Sequence, residues 1–323
     1  MADPRILRLP EIRRALAGYD PLPAMEAAFR AYSEGRAVVP SVGELLFDSP
    51  PGDAHIKYGY IRGGAHFVVK VAAGFYDNAK HGLPPFTGLL MLFSQQTGLP
   101  AAILLDEGWL TNLRTAAAGA VAAKYLTPRQ VQAIGVFGTG TQARLQVEQL
   151  QAVTDCRDLV AWGRSEAGLA AYRRDMMEKG YRVATTRDAD DVGRACNLIV
   201  TATPATAPLL LAAHVRPGTH ITAVGADTSD KQELDPAILA RADIVVADSL
   251  PQCRERGEIR HALRVGRIAA DKPIELGRII ANPALGRGSE DQITVADLTG
   301  LAVQDIMIAE AVLAAAGREI GAP

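Results

Sequence analysis

Aromatic residues are scarce in this sequence of 323 residues, because Phe, Trp and Tyr together make up only 5% of it. A hydrophobic core must therefore be built mostly from Ala, Val, Leu and Ile, which suits the closely packed strands and helices of an α/β fold. Hydrophobic residues reach 48% and charged residues 22%, which is the composition of a chain that folds by itself.

An excess of positive charge is also absent, since 34 Lys and Arg stand against 36 Asp and Glu. We therefore expect neither nucleic acid nor a membrane surface as a partner. The amino-terminal residues carry charges where a signal peptide needs an apolar segment, and no apolar run approaches the ~20 residues that span a bilayer. These features predict a cytoplasmic protein.

Cysteine is rare as well, with only Cys156, Cys196 and Cys253 in the whole sequence. Their number is odd, their spacing is wide, and no Cys-x-x-Cys pair suggests a metal site or a redox couple. We expect ordinary reduced cysteines and no bound metal.

The amino-terminal third has the pattern of an α+β unit. A helical period covers residues 20–36, and short strands are predicted at residues 43–47, 54–60 and 66–71. A further strand pair, at residues 88–94 and 101–106, is joined by a short turn that contains Gly98. The next predicted helix, at residues 111–125, is rich in alanine and permits close packing.

A different pattern begins near residue 130, where apolar strands alternate with helices. Strands without internal alternation are buried on both faces, and strand-helix repetition gives a parallel sheet with right-handed crossovers. The predicted strands are residues 133–137, 158–161, 198–202, 220–224 and 244–247, with helices at 142–152 and 166–179. The predicted fold is thus a Rossmann-type doubly wound α/β sheet over residues 116–300, joined to an α+β domain.

That α+β domain is predicted to consist of residues 1–115 and 301–323. Residues 1–115 contain too many strands and too few helices to cover their own sheet, whereas residues 304–316 form a strong helical pattern. We therefore expect the carboxyl-terminal helix to complete the amino-terminal domain.

A dinucleotide-binding loop is predicted between the strand at residues 133–137 and the helix that follows. Gly138 permits a tight turn, Gly140 leaves room for a pyrophosphate, and Ala143 allows close packing of helix and strand. The alternative is a glycine-rich turn without a ligand, but the strand-helix context favours nucleotide binding. The expected cofactor contacts are Gly138, Thr139, Gly140, Thr141, Gln142 and Thr203.

The second strand of this domain ends without the acidic residue that usually binds a free ribose 2′-hydroxyl. It is followed by Arg164 and Ser165, which suit a 2′-phosphate through a guanidinium contact and a hydroxyl hydrogen bond. The sequence therefore favours NADP(H), with NAD(H) as the alternative if Arg164 is a solvated surface residue.

Several separate motifs resemble the ornithine cyclodeaminase and mu-crystallin family over nearly the whole chain. Besides the glycine loop they are residues 67–75 (FVVKVAAGF), 104–108 (LLDEG), 113–119 (LRTAAAG), 224–228 (VGADT) and 297–300 (DLTG). The resemblance implies a homodimer in which the α+β domain binds substrate and forms the dimer contact.

The resemblance also implies roles for three residues: Lys70 as the active-site lysine, Arg114 as the ligand of the substrate carboxylate, and Asp227 as the catalytic aspartate. Independently, a lysine in an apolar strand needs an acidic neighbour or an anionic ligand. Asp227 follows a strand at the carboxyl edge of the parallel sheet, where such folds bind ligands. Structural alternatives are an edge-strand lysine, a helix-surface arginine and a turn aspartate.

One feature departs from the family pattern. Many members carry a second carboxylate-binding arginine near the first strands, and residues 40–44 supply none. Ornithine cyclisation is therefore disfavoured, and Lys57 is expected to replace the arginine as a secondary substrate contact. Glu44 and the segment around His81 are further candidates for shaping the pocket.

Together these features predict an NAD(P)H-dependent reductase of small 2-imino or 2-oxo acids. One alternative is a cyclodeaminase-type lyase with bound NAD, which would use no net cofactor. The other is a mu-crystallin-like protein that binds NADPH without turnover. The expected partners are a small acid substrate and a second copy of the chain.

Overall fold

The computed structural model describes residues 3–320 and divides into two compact units at residues 114/115 and 300/301. The first unit contains residues 3–114 and 301–320, and the second contains residues 115–300. Among the described residues, no helix combines the length and apolarity that a membrane span requires.

The described part of the first unit holds one sheet, four α-helical segments and one 3₁₀ helix. Its strands are β1 (Arg5–Arg8), β2 (Ala37–Val38), β3 (Gly43–Asp48), β4 (Pro51–Ile61), β5 (His66–Gly74), β6 (Phe86–Ser94) and β7 (Pro100–Leu105). Its helices are α1 (Leu9–Ala15), α2 (Leu22–Ser33), the first part of α3 (Trp109–Leu126), and α11 (Ala302–Ile320). A 3₁₀ helix, Tyr76–His81, lies between β5 and β6.

The sheet of the first unit has the strand order β1-β7-β6-β5-β4-β2, and β3 also pairs with β4. All its pairs are antiparallel except β1 with β7. Along β5, Val68, Lys70 and Ala72 alternate with more exposed residues, so one face of the strand is buried. Helix α11 packs against α2, β4 and β5, as expected for the helix that completes this unit.

The second unit holds a parallel sheet with helices along the chain between its strands. The strands of the main sheet are β8 (Ile134–Phe137), β9 (Asp158–Trp162), β10 (Arg182–Thr186), β11 (Leu198–Thr201), β13 (His220–Ala223), β15 (Ile244–Ala247), β16 (Pro273–Glu275) and β17 (Thr294–Asp297). A separate parallel pair is formed by β12 (Thr206–Leu210) and β14 (Gln232–Leu234). The helices are α4 (Thr141–Gln149), α5 (Glu166–Glu178), α6 (Ala189–Ala195), α7 (Pro236–Arg241), α8 (Leu250–Glu255), α9 (Gly257–Arg264) and α10 (Leu276–Ala281).

The main sheet has the strand order β10-β9-β8-β11-β13-β17-β15-β16, and every pair is parallel. Strands β8, β11, β13, β15 and β17 are buried at every position, which explains why their sequences lack the alternation of a strand with one exposed face. The order reverses beside β8, so the carboxyl ends of β8 and β11 flank the switch point where such sheets bind ligands.

The predicted fold class is confirmed, but several short strands were missed. Strands β1, β10 and β16 were not predicted, because each contains polar or proline residues that interrupt a short apolar pattern. The missed β10 and β16 are the two edges of the parallel sheet, where polar residues are tolerated.

Candidate active site

A lysine, an arginine and an aspartate meet inside the first unit. The Nζ atom of Lys70 lies 3.2 and 3.1 Å from the Oδ1 and Oδ2 atoms of Asp305. Arg114 donates from Nε to Oδ1 of the same carboxylate at 3.1 Å. Lys70 and Asp305 are each 1% exposed and Arg114 is 5% exposed. Charges this deeply buried require partners, and here each is paired.

Three elements bring these side chains together. The alternation of β5 turns Lys70 to the buried face, α3 carries Arg114, and the first turn of α11 carries Asp305. Next to Asp305, the Oε1 atom of Gln304 accepts from Arg114 Nη1 at 3.1 Å. The guanidinium is therefore oriented by two neighbouring residues of α11.

Lys57 adds a further buried cation to this group. It is 7% exposed and lies directly across from Lys70 in the β4-β5 ladder. Its charge also helps to lower the pKa of Asp305. The group formed by Lys57, Lys70, Arg114, Asp106 and Asp305 is called the cationic cluster below, because it contains three cationic side chains.

The cluster shifts the titration of its members. Burial lowers the pKa of Lys70 to about 8, although Asp305 opposes the shift. Burial alone would raise the pKa of Asp305, but Lys70 and Arg114 outweigh it and lower the pKa. Burial raises the pKa of Asp106 to about 6, while its Oδ2 atom accepts from the Leu110 N–H at 2.8 Å. Near neutral pH a group like Lys70 can both hold and release a proton.

In the second unit, a cavity of about 330 Å³ opens beside the glycine loop that follows β8. Volumes of this order are typical of small-molecule sites. Its lining contains six of the eight predicted cofactor residues: Gly138, Thr139, Gly140, Arg164, Ser165 and Thr203. The other two, Thr141 and Gln142, begin helix α4 directly after the loop.

The glycines of this loop fit a dinucleotide phosphate. Gly138 has φ 115°, and a Cβ atom there would lie 2.8 Å from the carbonyl oxygen of Ala202. A Cβ atom on Gly140 would meet no protein atom within 4 Å, so this glycine faces open space rather than packing. Glycine is needed there only if something outside the protein comes close, as a pyrophosphate would.

Arg164 and Ser165 lie where the second strand, β9, ends. Arg164 is exposed and lines the cavity, and the Ser165 Oγ atom accepts from the Gly168 N–H at 3.2 Å as the amino-terminal cap of α5. The cap leaves the Ser165 hydroxyl hydrogen available to a ligand oxygen. The position and chemistry of both residues suit the adenosine ribose.

Glu233 was not predicted from the sequence, yet it binds Thr203, one of the residues that line this cavity. Its Oε1 atom accepts from both the N–H and the hydroxyl of Thr203 at 2.7 Å, and its Oε2 atom accepts from the Thr201 hydroxyl at 2.7 Å. It is fully buried, which raises its pKa to about 7. Glu233 thus holds Thr203 in place.

Asp227 lies in the loop after β13, as expected. Lys231 was not predicted, yet its Nζ atom donates to the Asp227 Oδ1 atom at 2.8 Å. Arg256 donates to the Asp227 carbonyl oxygen at 3.1 Å, which fixes the backbone of the loop. The Asp227 side chain is 41% exposed, so a ligand can reach it.

The remaining candidates are spread over the first unit. Glu44 lies across from His55 in the β3-β4 ladder, with its Oε1 atom 3.5 Å from His55 Nδ1. His81 ends the 3₁₀ helix and is exposed.

A parallel doubly wound sheet, a glycine loop that faces open space at its switch point, and a buried cationic cluster are the features of a dinucleotide-binding oxidoreductase. The chain belongs to the ornithine cyclodeaminase/mu-crystallin family, whose model matches residues 4–318.

Individual relatives agree with this assignment. An uncharacterized cyclodeaminase of Sinorhizobium fredii (strain NBRC 101917 / NGR234) is 42% identical over 309 residues, which cover 94% of this chain and 93% of the relative. An archaeal alanine dehydrogenase dimer with bound NAD has a TM-score of 0.90 at 34% identity, covering 98% of this chain and 97% of that one. The iminosuccinate reductase of Paracoccus denitrificans in complex with NAD⁺ has a TM-score of 0.87 at 31% identity, with coverage of 98% and 97%.

These similarities confirm the fold, the family and the NAD(P)-dependent oxidoreductase class that the sequence predicts. The roles of the individual site residues remain predictions.

Proposed function

We propose that this protein is an NADP(H)-dependent reductase of small 2-imino or 2-oxo acids. The observation that carries the proposal is the cationic cluster, in which Lys57, Lys70 and Arg114 are buried around Asp305. Several buried cations close together produce a positive potential that favours an anion. A small carboxylate-bearing substrate supplies that anion.

Arg114 binds the substrate carboxylate in this proposal. Its Nε and Nη1 atoms donate to Asp305 and Gln304, which fixes the guanidinium plane and leaves further N–H groups for a ligand. A planar, fixed guanidinium binds a carboxylate through parallel hydrogen bonds. Lys57 contributes a second, weaker contact.

Lys70 supplies the proton that the reaction needs. Since its pKa is lowered to about 8, the ammonium form is populated at neutral pH and gives up its proton more readily than an exposed lysine. Asp305 holds the Nζ atom in position during this transfer. Asp227 retains the role implied by the family, which is to stabilise positive charge on the substrate nitrogen.

The nicotinamide cofactor supplies the two-electron chemistry when bound. We propose NADP(H) as the preferred form, since Arg164 and Ser165 line the cavity in place of an acidic residue. The two solved relatives described above hold NAD or NAD⁺, so NAD(H) remains the competing cofactor.

A redox-neutral cyclodeaminase is the second candidate, favoured by the 42% identical relative of that name. The absence of an arginine in residues 40–44 disfavours it. Ammonia release from ornithine without net cofactor consumption would establish it.

We also propose a homodimer formed through the first unit. Its outer surface exposes large apolar side chains, with Leu45 54%, Leu46 72%, Phe47 42% and Tyr58 41% exposed. These residues lie on the adjacent strands β3 and β4, and an accumulation of large exposed apolar side chains in one part of a sheet is typical of protein interfaces. One solved relative is described as a dimer.

The deciding experiment follows the absorbance of NADPH and NADH with pyruvate, glyoxylate, oxaloacetate and cyclic imino acids, each with and without ammonia or methylamine. We expect NADPH consumption that depends on the amine or on a preformed imine. Tight NADPH binding without turnover of any compound would instead favour the mu-crystallin-like binding protein and contradict the reductase.

A further inference from the structure

Arg144 has a side chain that folds back onto the glycine loop. It lies in the first half of α4, and its Nη1 atom donates to the carbonyl oxygens of Thr139 and Gly140, the latter at 3.2 Å. These two carbonyls belong to the segment that lines the dinucleotide cavity. Arg144 was not among the predicted cofactor residues.

The guanidinium is itself held on two further sides. Its Nε and Nη2 atoms donate to Oδ2 of Asp175 at 3.0 and 2.7 Å, and its Cζ atom lies 5.0 Å from the ring centroid of Tyr172. Tyr172 is completely buried and donates from its hydroxyl to the Ala143 carbonyl oxygen at 3.1 Å. Arg144 is thus a fixed group, with only 22% of its side chain exposed.

Binding these carbonyls also determines where the neighbouring N–H groups point. In a planar trans peptide the C=O and the following N–H are opposed, so a carbonyl drawn toward Arg144 directs the next N–H away from it. The two peptides concerned contribute the N–H groups of Gly140 and Thr141. Successive N–H groups directed to one side form an anion-binding nest, and Gly140 has open space on its free side.

The charge arrangement supports a ligand rather than a purely structural role. An arginine near a helix amino-terminus opposes the helix dipole, and the carboxylate that pairs with it, Asp175, belongs to α5 because α4 has no acidic residue in its first turn. Gly140, the cap residue, provides no side-chain hydrogen bond to the first N–H groups. An anion at this end of α4 would interact favourably with the first backbone N–H groups of the helix and with its dipole.

We propose that Arg144, held by Asp175 and Tyr172, is a positioning residue that presets the Thr139–Gly140–Thr141 backbone for the cofactor pyrophosphate. Arg144 acts through the loop carbonyls and need not touch the cofactor. The proposal rests on the proposed dinucleotide binding but not on the identity of the substrate.

The test measures the dissociation constants of NADPH, NADH and ADP-ribose by calorimetry for the wild type, Arg144→Lys and Asp175→Asn. Lysine keeps the charge but cannot bind two carbonyls and Asp175 together, so we expect all three constants to rise about tenfold in this variant. A smaller rise of the same kind is expected for Asp175→Asn, which leaves Arg144 in place but removes its partner. At saturating cofactor, kcat should stay near the wild-type value.

Arg174→Ala is the matched control. Arg174 donates to Oδ1 of the same Asp175 at 3.2 Å, yet it contacts neither loop carbonyl, so its loss should leave all three constants unchanged. If Arg144→Lys does not fold, Asp175→Asn still tests the proposal. Asp175 is the more exposed partner of the ion pair, so its replacement should be tolerated. Folded variants with wild-type affinity for ADP-ribose would overturn the proposal. A wild type that binds no dinucleotide would instead refute the proposed function.

Discussion

Lys57 and Lys70 are direct partners across strands β4 and β5, and both side chains are buried. Like charges at opposed positions of an antiparallel ladder destabilise it, and burial adds a desolvation penalty to each ammonium group. The carboxylate of Asp305 contacts Lys70 and Arg114, so it is shared among several cations. A further anion bound near these cations would reduce their mutual repulsion, which is why we connect the cluster with binding of an acid substrate.

This relationship predicts opposite effects of one substitution on binding and on stability. In Lys57→Met, the like-charge contact disappears while the apolar stem is retained, so the free energy of unfolding should not fall. The KM for the acid substrate should rise about tenfold, as for loss of one hydrogen bond to a charged group. Chemical denaturation and steady-state kinetics of the same preparation measure both quantities.

Lys80→Met provides the control for that variant. Lys80 is a surface lysine paired with Asp77 at 2.7 Å, with 71% of its side chain exposed. Its replacement should change neither KM nor stability appreciably. A Lys57→Met enzyme with unchanged KM would show that Lys57 takes no part in substrate binding.

A second prediction concerns the pH dependence that Lys70 confers. Burial lowers the pKa of Lys70 to about 8, and the negative charge of Asp305 opposes this shift. If Lys70 is the proton donor, reductive activity should decline as the pH rises through about 8. In Asp305→Asn the opposing charge is lost, so the pKa of Lys70 falls further and the decline should begin at lower pH. The measurement is the pH profile of kcat/KM.

Glu310→Gln is the matched variant on the same helix. Glu310 contacts His66 at 3.4 Å and is partly exposed, outside the cationic cluster. Its pH profile should coincide with that of the wild type. A profile for Asp305→Asn that also coincides would remove Lys70 from the proton transfer, whereas Lys70→Met should lose roughly 10²–10⁴-fold in kcat if the assignment is right.

Some candidate residues can be selected from the sequence because they stand out from a local pattern. Gly138 and Gly140 stand between a strand and a helix, and Lys70 stands in an apolar strand, so each is conspicuous among its neighbours. Alternation along β4 places Lys57 on the same strand face as His55, and both residues are buried in the structure. In each of these cases the informative neighbours lie within a few residues along the chain.

We could not predict Asp305, Glu233 and Arg144 from the sequence, because their partners are distant along the chain or belong to the backbone. Asp305 meets Lys70 over 235 positions, and the pattern of α11 gives no indication of which strand it covers. An acid among the apolar residues of α11 was the available signal, since such a charge needs a partner when the helix packs. Arg144 donates to backbone carbonyl oxygens of the loop, and such a contact cannot be predicted from residue types or their spacing.

Cofactor preference provides a third prediction. Arg164→Ala should raise the dissociation constant of NADPH by about 10- to 100-fold, as expected for loss of a charge-assisted hydrogen bond to the 2′-phosphate, and leave that of NADH nearly unchanged. Arg187→Ala is the control, because Arg187 is a similarly exposed arginine that does not line the cavity. Equal losses for both cofactors, or none, would contradict a preference set by Arg164.

A fourth prediction separates the charge of Asp227 from its shape. Asp227→Asn keeps the size of the side chain but removes the charge, so kcat should fall roughly 10²-fold with little change in cofactor affinity. Lys231→Met removes the ion pair at 2.8 Å but keeps the Asp227 carboxylate, so its effect on kcat should be smaller than that of Asp227→Asn. An unchanged kcat in Asp227→Asn would exclude it as a catalytic residue.

Substitution of the two loop glycines should have two distinguishable effects, one on protein stability and one on cofactor binding. In Gly138→Ala, a Cβ atom must fit at φ 115° and 2.8 Å from the Ala202 carbonyl oxygen, so the protein itself is strained. We expect a stability loss of about 1–2 kcal/mol, the strain of a side chain in the left-handed region, together with weaker cofactor binding.

In Gly140→Ala the added methyl group meets no protein atom within 4 Å, and the backbone has an ordinary φ of −86°. The free protein should therefore unfold at the wild-type temperature, while the methyl group occupies space that a pyrophosphate needs and raises the NADPH dissociation constant at least about tenfold. Thermal unfolding with and without NADPH measures both effects, because a ligand raises the unfolding temperature only when it binds. A Gly140→Ala protein stabilised by NADPH as strongly as the wild type would place the phosphates elsewhere and refute the assignment of this loop.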